Sequence, residues 1–539
     1  MSLASPLTAG RANGAGARLP LLRIAAYLAA AFAVVPIGAV VWLALTGAGG
    51  AAFSPALIGR YALTSALLGA LVAVGSVAMG ATAAWLVVMY RFPGRGVFSW
   101  ALALPLAVPA FALAYAYADL LDVAGPVRSA LRVWAGAELF PLEIRSIGGA
   151  AFVLTGAFYP YVYLTARAAF ITQSVCALEA ARTMGAGPFE VFRRVALPLA
   201  RPALAAGAAL AVMETLADYG AVKFLGVQTL TTGVVRAWSV FGSPADAARL
   251  SMILLAAAAA LLWLERANRL GESYGASSAR WRTLAQAPLR GPGKWLAAGY
   301  CLLLLVLGLV LPAAWLAYKA LALDPDLPRL LRATGVSFAL ACAGALVTVT
   351  LATVLAFGGQ RDHWAKRLAS LGYAAPGAVL AVGLLAPASL VWRDLGAVGA
   401  GAAVSLTLLV LAYAARLMAS ALQPIEAGLA RVTPSMDRAA RSLGETETGA
   451  LRRVHAPLAR GALWTAALLV FVDVLKELPA TLMLRPFDFD TLAVLADRYA
   501  SDERLAQAGW PSLLIVLAAI GPIVFLSRKV MGSRPGDPG

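Results

Sequence analysis

Charged residues are scarce in this sequence. Only 13% of its 539 residues are Asp, Glu, Lys or Arg, whereas 61% are hydrophobic, and the mean hydropathy is +0.79. These values exclude an ordinary soluble globular chain and are typical of a protein with many membrane-spanning segments. The net charge of +17 does not indicate nucleic-acid binding, because the basic residues are scattered between apolar runs, where they set membrane orientation.

Cysteine and histidine are also rare. The three cysteines are far apart and form no Cys-x-x-Cys pair, which argues against a disulfide framework or a zinc site. The two histidines, His363 and His455, have no spacing that indicates a metal site. Gly293-Lys294 lacks the upstream glycine of a phosphate loop. The sequence therefore predicts neither a catalytic site nor a permanently bound cofactor.

Long apolar runs fill most of the chain. About 20 such residues suffice to cross a bilayer as a helix, and six runs occur in each half. They cover residues 21–46, 61–90, 97–121, 146–168, 202–226, 247–264, 295–320, 333–358, 368–391, 399–418, 462–484 and 508–526. The predicted fold is an all-α polytopic membrane protein with about 12 transmembrane helices in two six-helix halves related by a pseudo-twofold axis. The halves are residues 1–265 and 295–539, joined by a basic linker at 266–294.

The basic residues predict the orientation of these helices. Most of the 44 Lys and Arg residues lie in the N-terminus, the even-numbered connections and the tail. Positive charge favours the cytosolic side, so we expect these segments, the linker and both termini to be cytosolic. The connections at 121–145, 227–246 and 485–504 are then expected on the opposite side, where they are candidates for docking a binding protein.

One polar, basic stretch at residues 179–204 interrupts the apolar pattern, and a similar stretch recurs at 438–463. Gly444 corresponds to Gly185, a displacement of 259 residues (444 − 185) that is close to half the chain. The paired residues are Ala180 and Ala439, Ala181 and Ala440, Arg193 and Arg452, and Pro198 and Pro457. The repetition indicates two similar halves, each presenting one loop to the cytosol.

The first of these loops reads as helix, turn and short helix. Gly185 can end a helix in the left-handed conformation, and Phe189 and Phe192, three residues apart, share one helical face. Two exposed aromatic rings are costly in water unless they dock on a partner. The alternative is that both rings lie against the protein's own surface.

The residues Glu179-Ala180-Ala181, Gly185, Val195 and Leu197-Pro198 resemble the signature loop of ABC-importer permeases of the type I class. This resemblance implies a helix that couples the membrane subunit to a cytosolic ATPase. The second copy differs, with Arg438 in place of the glutamate and no phenylalanine at the positions that correspond to Phe189 and Phe192. Unequal coupling of the two loops is therefore expected. The coupling residues that the resemblance implies are Glu179, Ala180, Ala181, Gly185, Phe189, Phe192, Arg193, Pro198, Ala439, Ala440, Gly444, Leu451, Arg452 and Pro457.

Two fused halves, with residues 213–220, 473–481 and 484–492, are similar to the ferric-iron permease subfamily. This similarity implies a non-enzymatic subunit of the bacterial inner membrane that imports ferric iron by alternating access. Its implied partners are two ABC ATPases, which carry ATP and magnesium, and a periplasmic iron-binding protein. Thiamine and phosphonate importers share the architecture and stay open as alternatives. An ion-coupled secondary transporter has inverted repeats, whereas six spans return this chain to the same side before the repeat begins.

Four acidic residues lie within the two predicted spans at 202–226 and 462–484, where charge is expensive and usually faces a protein interior or a water path. Glu214 and Asp218 share one helical face, and Asp473 and Glu477 repeat them at the same displacement of 259 residues. We expect these four to line a gate or a cation path, with Glu214 and Asp473 contacting the metal ion transiently, because oxygen ligands suit a hard cation. Candidate path tyrosines are Tyr115, Tyr117, Tyr159 and Tyr161. The alternatives are interhelical contacts for the carboxylates and an interfacial aromatic belt for the tyrosines.

Overall fold

The computed structural model describes residues 20–47, 53–135, 143–172, 180–181, 183–269, 286–358, 365–366, 368–369, 372, 375–395, 401–430 and 434–531. Helices account for nearly all regular structure in these ranges. The exception is one parallel pair of two-residue strands, β1 (Tyr90–Arg91) and β2 (Ala287–Pro288), which ties the end of the linker to the first half. The prediction of an all-α polytopic membrane protein is confirmed.

The helices lie on both sides of the predicted linker at 266–294. Those before the linker are α1 (Pro20–Thr46), α2 (Pro55–Met89), α3 (Arg95–Ala101), α4 (Ala110–Leu121), α5 (Pro126–Ala135), α6 (Ile147–Thr172), α7 (Pro188–Leu199), α8 (Arg201–Ala217), α9 (Gly220–Phe224), α10 (Leu230–Ser239) and α11 (Pro244–Arg269). Those after it are α12 (Gly293–Leu321), α13 (Leu327–Gly358), α14 (Gly377–Leu395), α15 (Gly401–Leu429), α16 (Pro434–Ser442), α17 (Glu447–Ala450), α18 (Ala456–Leu475), α19 (Pro479–Leu484), α20 (Leu492–Ser501) and α21 (Leu505–Met531).

The described ranges contain ten helices long and apolar enough to cross a membrane, against the twelve predicted spans. The number is eleven if α7 and α8, which meet at a bend of 75°, count as one span. The predicted span at 368–391 begins among residues that the structure describes only in part, and its apolar helix, Gly377–Ala388, is shorter than a full span.

Three predicted spans are wrong as continuous helices. The run at 97–121 is divided into α3, a 3-10 turn at Leu104–Ala107 and α4. Pro105 and Pro109 explain this break, because proline lacks a backbone N–H and cannot continue the helical bonding. The runs at 202–226 and 462–484 are also broken, each near its end, so that α9 and α19 are separate short helices.

The two halves repeat the same packing. Helices α2, α6 and α8 contact one another in the first half, as α13, α15 and α18 do in the second. Small residues permit these close approaches: a Cβ on Gly80 would lie 2.7 Å from the Tyr163 backbone nitrogen, and one on Gly207 would lie 2.8 Å from Val162 Cα. The repetition extends to a buried serine that accepts the first helical N–H of α10 or α20, at 2.8 Å for Ser65 and 2.7 Å for Ser337.

The first helix of each half packs against the other half. Helix α1 contacts α13 and α14, and α12 contacts α4 and α6. The largest hydrophobic core likewise contains residues from both halves, including Phe111 and Leu154 from the first and Leu478 and Ile515 from the second. The halves therefore form one body, with a space between them near the helix breaks.

Candidate functional site

The two broken helices give the interior its polar groups. Helix α8 ends at Ala217 and α18 ends at Leu475. After each break a carboxylate accepts hydrogen bonds from the first turn of the next short helix. Asp218 Oδ2 accepts from Val222 N at 3.0 Å, and Glu477 accepts from Ala480 N and Thr481 N, both at 3.0 Å. A helix start has unpaired N–H groups that need an acceptor in apolar surroundings, so these acids stabilise the breaks.

Both breaks open on one cavity, which we name the central cavity. Its volume is about 100 Å³, and both halves line it. All four predicted carboxylates, Glu214, Asp218, Asp473 and Glu477, are among its lining residues, together with Arg416 and Lys476. Four acidic and two basic groups leave a formal charge of −2 (−4 + 2) in this space.

Arg416 joins the acidic groups of the two halves. Its guanidinium lies 3.2 Å from Glu477 Oε1 and 3.8 Å from Glu214 Oε2. Lys476 Nζ lies 2.9 Å from Asp473 Oδ1. The two cations offset part of the repulsion among four carboxylates that share a small space.

The four carboxylates differ in how fully they are bonded. The Glu477 side chain is 2% exposed and, besides its two backbone donors and Arg416, accepts from the Thr481 hydroxyl at 2.7 Å. Glu214 is 24% exposed, and within the described part of the chain its carboxylate has only the 3.8 Å contact with Arg416. Asp473 is 29% exposed, and its one ion pair within the described ranges is with Lys476. Glu214 and Asp473 are therefore the two of the four that accept no backbone hydrogen bond among the described residues, whereas Asp218 and Glu477 do, and this leaves them bonding capacity for a bound solute.

Of the predicted path tyrosines, only Tyr161 lines the central cavity. Tyr115 is buried against Phe224, with ring centroids 4.7 Å apart. Tyr117 and Tyr159 border a separate apolar space of about 20 Å³, and the Tyr117 hydroxyl donates to the Leu307 carbonyl at 2.5 Å. Tyr115, Tyr117 and Tyr159 therefore do not line the central cavity and contact neighbouring helices instead, and a place for them on the path stays a prediction.

A resident metal site is not formed by the acids of the cavity. Among the residues that the structure describes, no group of three or more His, Cys, Asp or Glu side chains is arranged to hold a metal ion. Arg416 and Lys476 lie between the carboxylates and pair with them. Contact of Glu214 and Asp473 with a passing metal ion stays a prediction.

The two repeated loops share one turn geometry. Gly185 has φ +87° and Gly444 has φ +84°, both left-handed. Ala186 N donates to Ala181 O and Glu445 N donates to Ala440 O, each at 3.1 Å. In each loop the bond spans the end of a helix. The glycine that follows the helix has positive φ, a conformation that favours glycine over other residues. Glu179 lies outside the described residues, as does the side chain of Leu451.

The two rings predicted to be exposed behave differently. Phe189 is 70% exposed, but Phe192 packs on Trp85 of α2, with ring centroids 5.2 Å apart. The prediction that both rings project into water is wrong for Phe192, because it contacts the membrane-spanning part instead. The other loop side chains divide by exposure: Ala180, Arg193, Ala439, Arg452 and Pro457 are exposed, Pro198 is half-buried, and Ala181 and Ala440 are buried.

A pair of residues that the sequence analysis missed projects from both loops. Met184 and Leu443, each directly before the left-handed glycine, are 81% and 84% exposed. They are separated by the same 259 residues (443 − 184). The signal was present as an apolar residue before each glycine, although the two residues differ in type. Each loop thus carries one apolar knob at an equivalent position.

Comparison with known proteins identifies the family. Residues 76–269 match the family model described as the binding-protein-dependent transport system inner membrane component. The chain is 31% identical over 232 residues to the sulfate transport system permease protein CysT of Salmonella typhimurium, covering 41% of this chain and 79% of that protein. It is 30% identical over 217 residues to the molybdenum transport system permease protein ModB of Escherichia coli, covering 38% of this chain and 93% of that protein.

The chain belongs to this family of inner-membrane transport permeases. A longer match extends through both halves of the permease. It is 26% identical over 474 residues to the Fe(3+)-transport system permease protein FbpB 2 of Haemophilus influenzae, covering 86% of this chain and 88% of that protein. The resemblance to type I permeases with two fused halves is confirmed, and the permease is a membrane component of a transport system rather than an enzyme.

Arg416 is a charged residue of the central cavity that the sequence analysis of the permease did not single out. It lies in the apolar run predicted at 399–418. A basic residue within a membrane span has a high free-energy cost and usually faces a protein interior. That cost was the available signal.

Proposed function

We propose that this permease is the transmembrane subunit of an ATP-driven importer that carries ferric iron into the cytosol. Residues 1–265 and 295–539 act as the two halves, and the repeated loops couple each half to one cytosolic ABC ATPase. The chain itself hydrolyses nothing. The observation that carries the proposal is the pair of loops with matching main-chain turns, combined with a central cavity where four acidic residues from both halves meet.

The coupling role follows from what each loop exposes. Met184 and Leu443 are large apolar side chains in water, and such groups mark interaction sites when several lie together. Phe189 adds a second exposed apolar side chain to the first loop, which also carries exposed Arg193. Phe192 on Trp85 connects that loop to α2. Movement of a docked ATPase would therefore reach α2 through an aromatic contact and α8 through the bend after α7.

The transport cycle alternates access to the central cavity. Both termini and the loops face the cytosol, as the distribution of arginine and lysine favours, and a binding protein delivers cargo to the opposite side. Closure of the two ATPases on ATP pulls the loops together and changes which side of the central cavity is open. The breaks after Ala217 and Leu475 let α9 and α19 move relative to the spans that precede them.

Ferric iron is the cargo that similarity and chemistry favour together. The Haemophilus relative, which is named as an Fe(3+)-transport permease, matches most of this chain. Glu214 and Asp473 offer under-bonded carboxylate oxygens, and hard cations prefer oxygen ligands. Their few partners suit transient contact during passage, and a cation is released more readily from such a site than from a complete cage.

A second candidate cargo is a tetrahedral oxyanion. Arg416 and Lys476 line the same cavity and could contact an anion. The sulfate and molybdenum relatives match 41% and 38% of this chain. Thiamine and phosphonate remain further alternatives within the same transport class. Membership of a binding-protein-dependent family argues against an ion-coupled secondary transporter.

The test is ATPase stimulation in proteoliposomes that contain the permease with its co-purified ATPase. We expect a binding protein loaded with Fe(III) to stimulate hydrolysis severalfold over its iron-free form, with sulfate-loaded, molybdate-loaded and thiamine-loaded proteins inactive. Stimulation by one of those three and not by the ferric form would overturn the iron assignment and leave the importer intact. Failure to retain any ATPase would overturn the importer itself.

A further inference from the structure

A second and larger cavity, which we name the outer cavity, adjoins the central cavity. Its volume is about 450 Å³, and its lining comes mainly from α9 and α10 of the first half, with Leu482 and Asp497 from the second. Tyr219 lines both cavities. This one residue, at the break between α8 and α9, therefore forms part of the wall between them.

The outer cavity lies on the side away from the repeated loops. Helix α8 starts beside the first loop and runs for 17 residues to the break, a length of about 25 Å at the usual helical rise. The central cavity is at that far end, and the chain then forms α9 and α10 before α11 returns. A solute arriving from the side opposite the loops meets the outer cavity first.

An ion pair between the halves lies beside Tyr219 in the lining of the outer cavity. Lys223 Nζ lies 2.9 Å and 3.2 Å from the two carboxylate oxygens of Asp497, and it donates to Ser501 Oγ at 3.0 Å. Asp497 is buried, with 8% of its side chain exposed. The same ammonium lies 5.4 Å from the centroid of the Tyr219 ring. Breaking this contact would leave a buried carboxylate without its cation, which is unfavourable.

The ion pair occurs on one side of the pseudo-twofold axis only. The position equivalent to Lys223 is Leu482 (223 + 259). Helices α10 and α20 align through their capping residues Thr229 and Thr491, a displacement of 262, so Asp497 corresponds to Val235 (497 − 262). Leu482 and Val235 both line the outer cavity. One side of the boundary is thus ionic and the other apolar.

We propose that the outer cavity is the entrance chamber of the path, and that Tyr219 with the Lys223–Asp497 ion pair is the gate between this chamber and the central cavity. The inference rests on the proposed function in one respect, the orientation of the chain. Opening the gate separates α9 of the first half from α20 of the second and moves Tyr219 with α9. Because the positions equivalent to Lys223 and Asp497 are the apolar Leu482 and Val235, the ion pair supplies the electrostatic part of gate closure.

The test measures how fast a cysteine in each cavity reacts with a membrane-impermeant maleimide applied to intact spheroplasts. The three native cysteines are replaced by alanine. Ala217→Cys reports on the central cavity and Ser239→Cys on the outer one. We expect Ser239→Cys to react readily and Ala217→Cys slowly. Lys223→Met or Asp497→Asn should speed labelling of Ala217→Cys roughly tenfold, within the range of ordinary coupling between two states.

Two controls separate a gate from a general loosening of the fold. The exchanged pair, Lys223→Asp with Asp497→Lys, should return Ala217→Cys to slow labelling. Lys319→Met breaks a different ion pair between the halves, Lys319–Asp119 at 2.9 Å, which lines neither cavity, and it should leave the rate unchanged. An unchanged rate in both single gate variants, or equal acceleration by Lys319→Met, would overturn the gate. Labelling of Ser239→Cys only in inverted vesicles would instead overturn the orientation in the proposed function.

Discussion

Glu214 and Glu477 line the same cavity, yet they differ in their bonding partners and therefore in their expected roles. Glu477 is bonded to two backbone N–H groups, a hydroxyl and Arg416, whereas the carboxylate of Glu214 reaches Arg416 only at 3.8 Å. Glu477 stabilises a helix break. Under the proposed function, the lone pairs of Glu214 are available to cargo.

Glutamine substitutions at these two positions should therefore have opposite effects. Glu214→Gln should reduce cargo uptake at least severalfold with little change in melting temperature, because it removes charge but few bonds. Glu477→Gln should lower stability by about 1–3 kcal/mol, since charged acceptors of buried donors contribute that much. Thermal unfolding of the purified complex and uptake into proteoliposomes measure the two effects. A stable, inactive Glu477→Gln with an unstable, active Glu214→Gln would contradict this assignment.

The glycines of the two loops make a second prediction at the scale of single residues. No atom lies within 4 Å of a Cβ built on Gly185 or Gly444, so only the left-handed backbone opposes a side chain. Alanine at either position should cost about 1–2 kcal/mol locally and weaken ATPase coupling. Gly187→Ala is the matched control, with equally open space and φ −67°. Intact uptake in both Gly185→Ala and Gly444→Ala would argue against coupling through these turns.

At the scale of elements, the repeat explains what the sequence could predict. A displacement of 259 residues pairs the loops and the four carboxylates, and the structure brings those carboxylates to one cavity. Three of the four predicted path tyrosines lie away from this cavity. On α6 the reason is that residues two apart on a helix point to different sides. Tyr161 faces the central cavity, and Tyr159 on the same helix borders the small apolar space. Neighbouring positions in the sequence did not determine which face of α6 met the cavity.

The exposed knobs of the loops give the prediction for these elements. Met184→Asp and Leu443→Asp should each reduce the amount of ATPase that co-purifies with the tagged permease, because a charge replaces an apolar contact at the proposed interface. Folding should be unaffected, since both side chains are exposed in the isolated chain. The Met184 variant should lose more, as its loop also presents Phe189.

Phe487→Asp provides the matched control for the knobs. Phe487 is fully exposed and follows α19, in a connection predicted to face away from the loops. It should leave ATPase retention unchanged. Equal retention in all three variants would show that the knobs do not contact the ATPase.

At the scale of the whole molecule, the first helix of each half packs on the other half, and one core includes residues of both. The apolar runs predicted twelve spans, whereas the described residues contain ten, or eleven if the bent pair counts as one, and the runs did not show where spans are broken. The breaks at Pro105 and Pro109, after Ala217 and after Leu475 all fall inside runs that are apolar overall, although charged residues follow Ala217 and Leu475 directly. Hydropathy cannot distinguish a straight span from a broken one, because the residues of a break can be buried among neighbouring helices.

The measurement that tests the account most directly is uptake of radioactive Fe(III) into proteoliposomes that contain the permease, its co-purified ATPase and the ferric-loaded binding protein. We predict accumulation that requires hydrolysable ATP and the binding protein, and that falls to background in the double variant Glu214→Ala with Asp473→Ala while ATP hydrolysis continues. Accumulation without ATP, or full accumulation in that double variant, would contradict transport through the central cavity driven by the two loops.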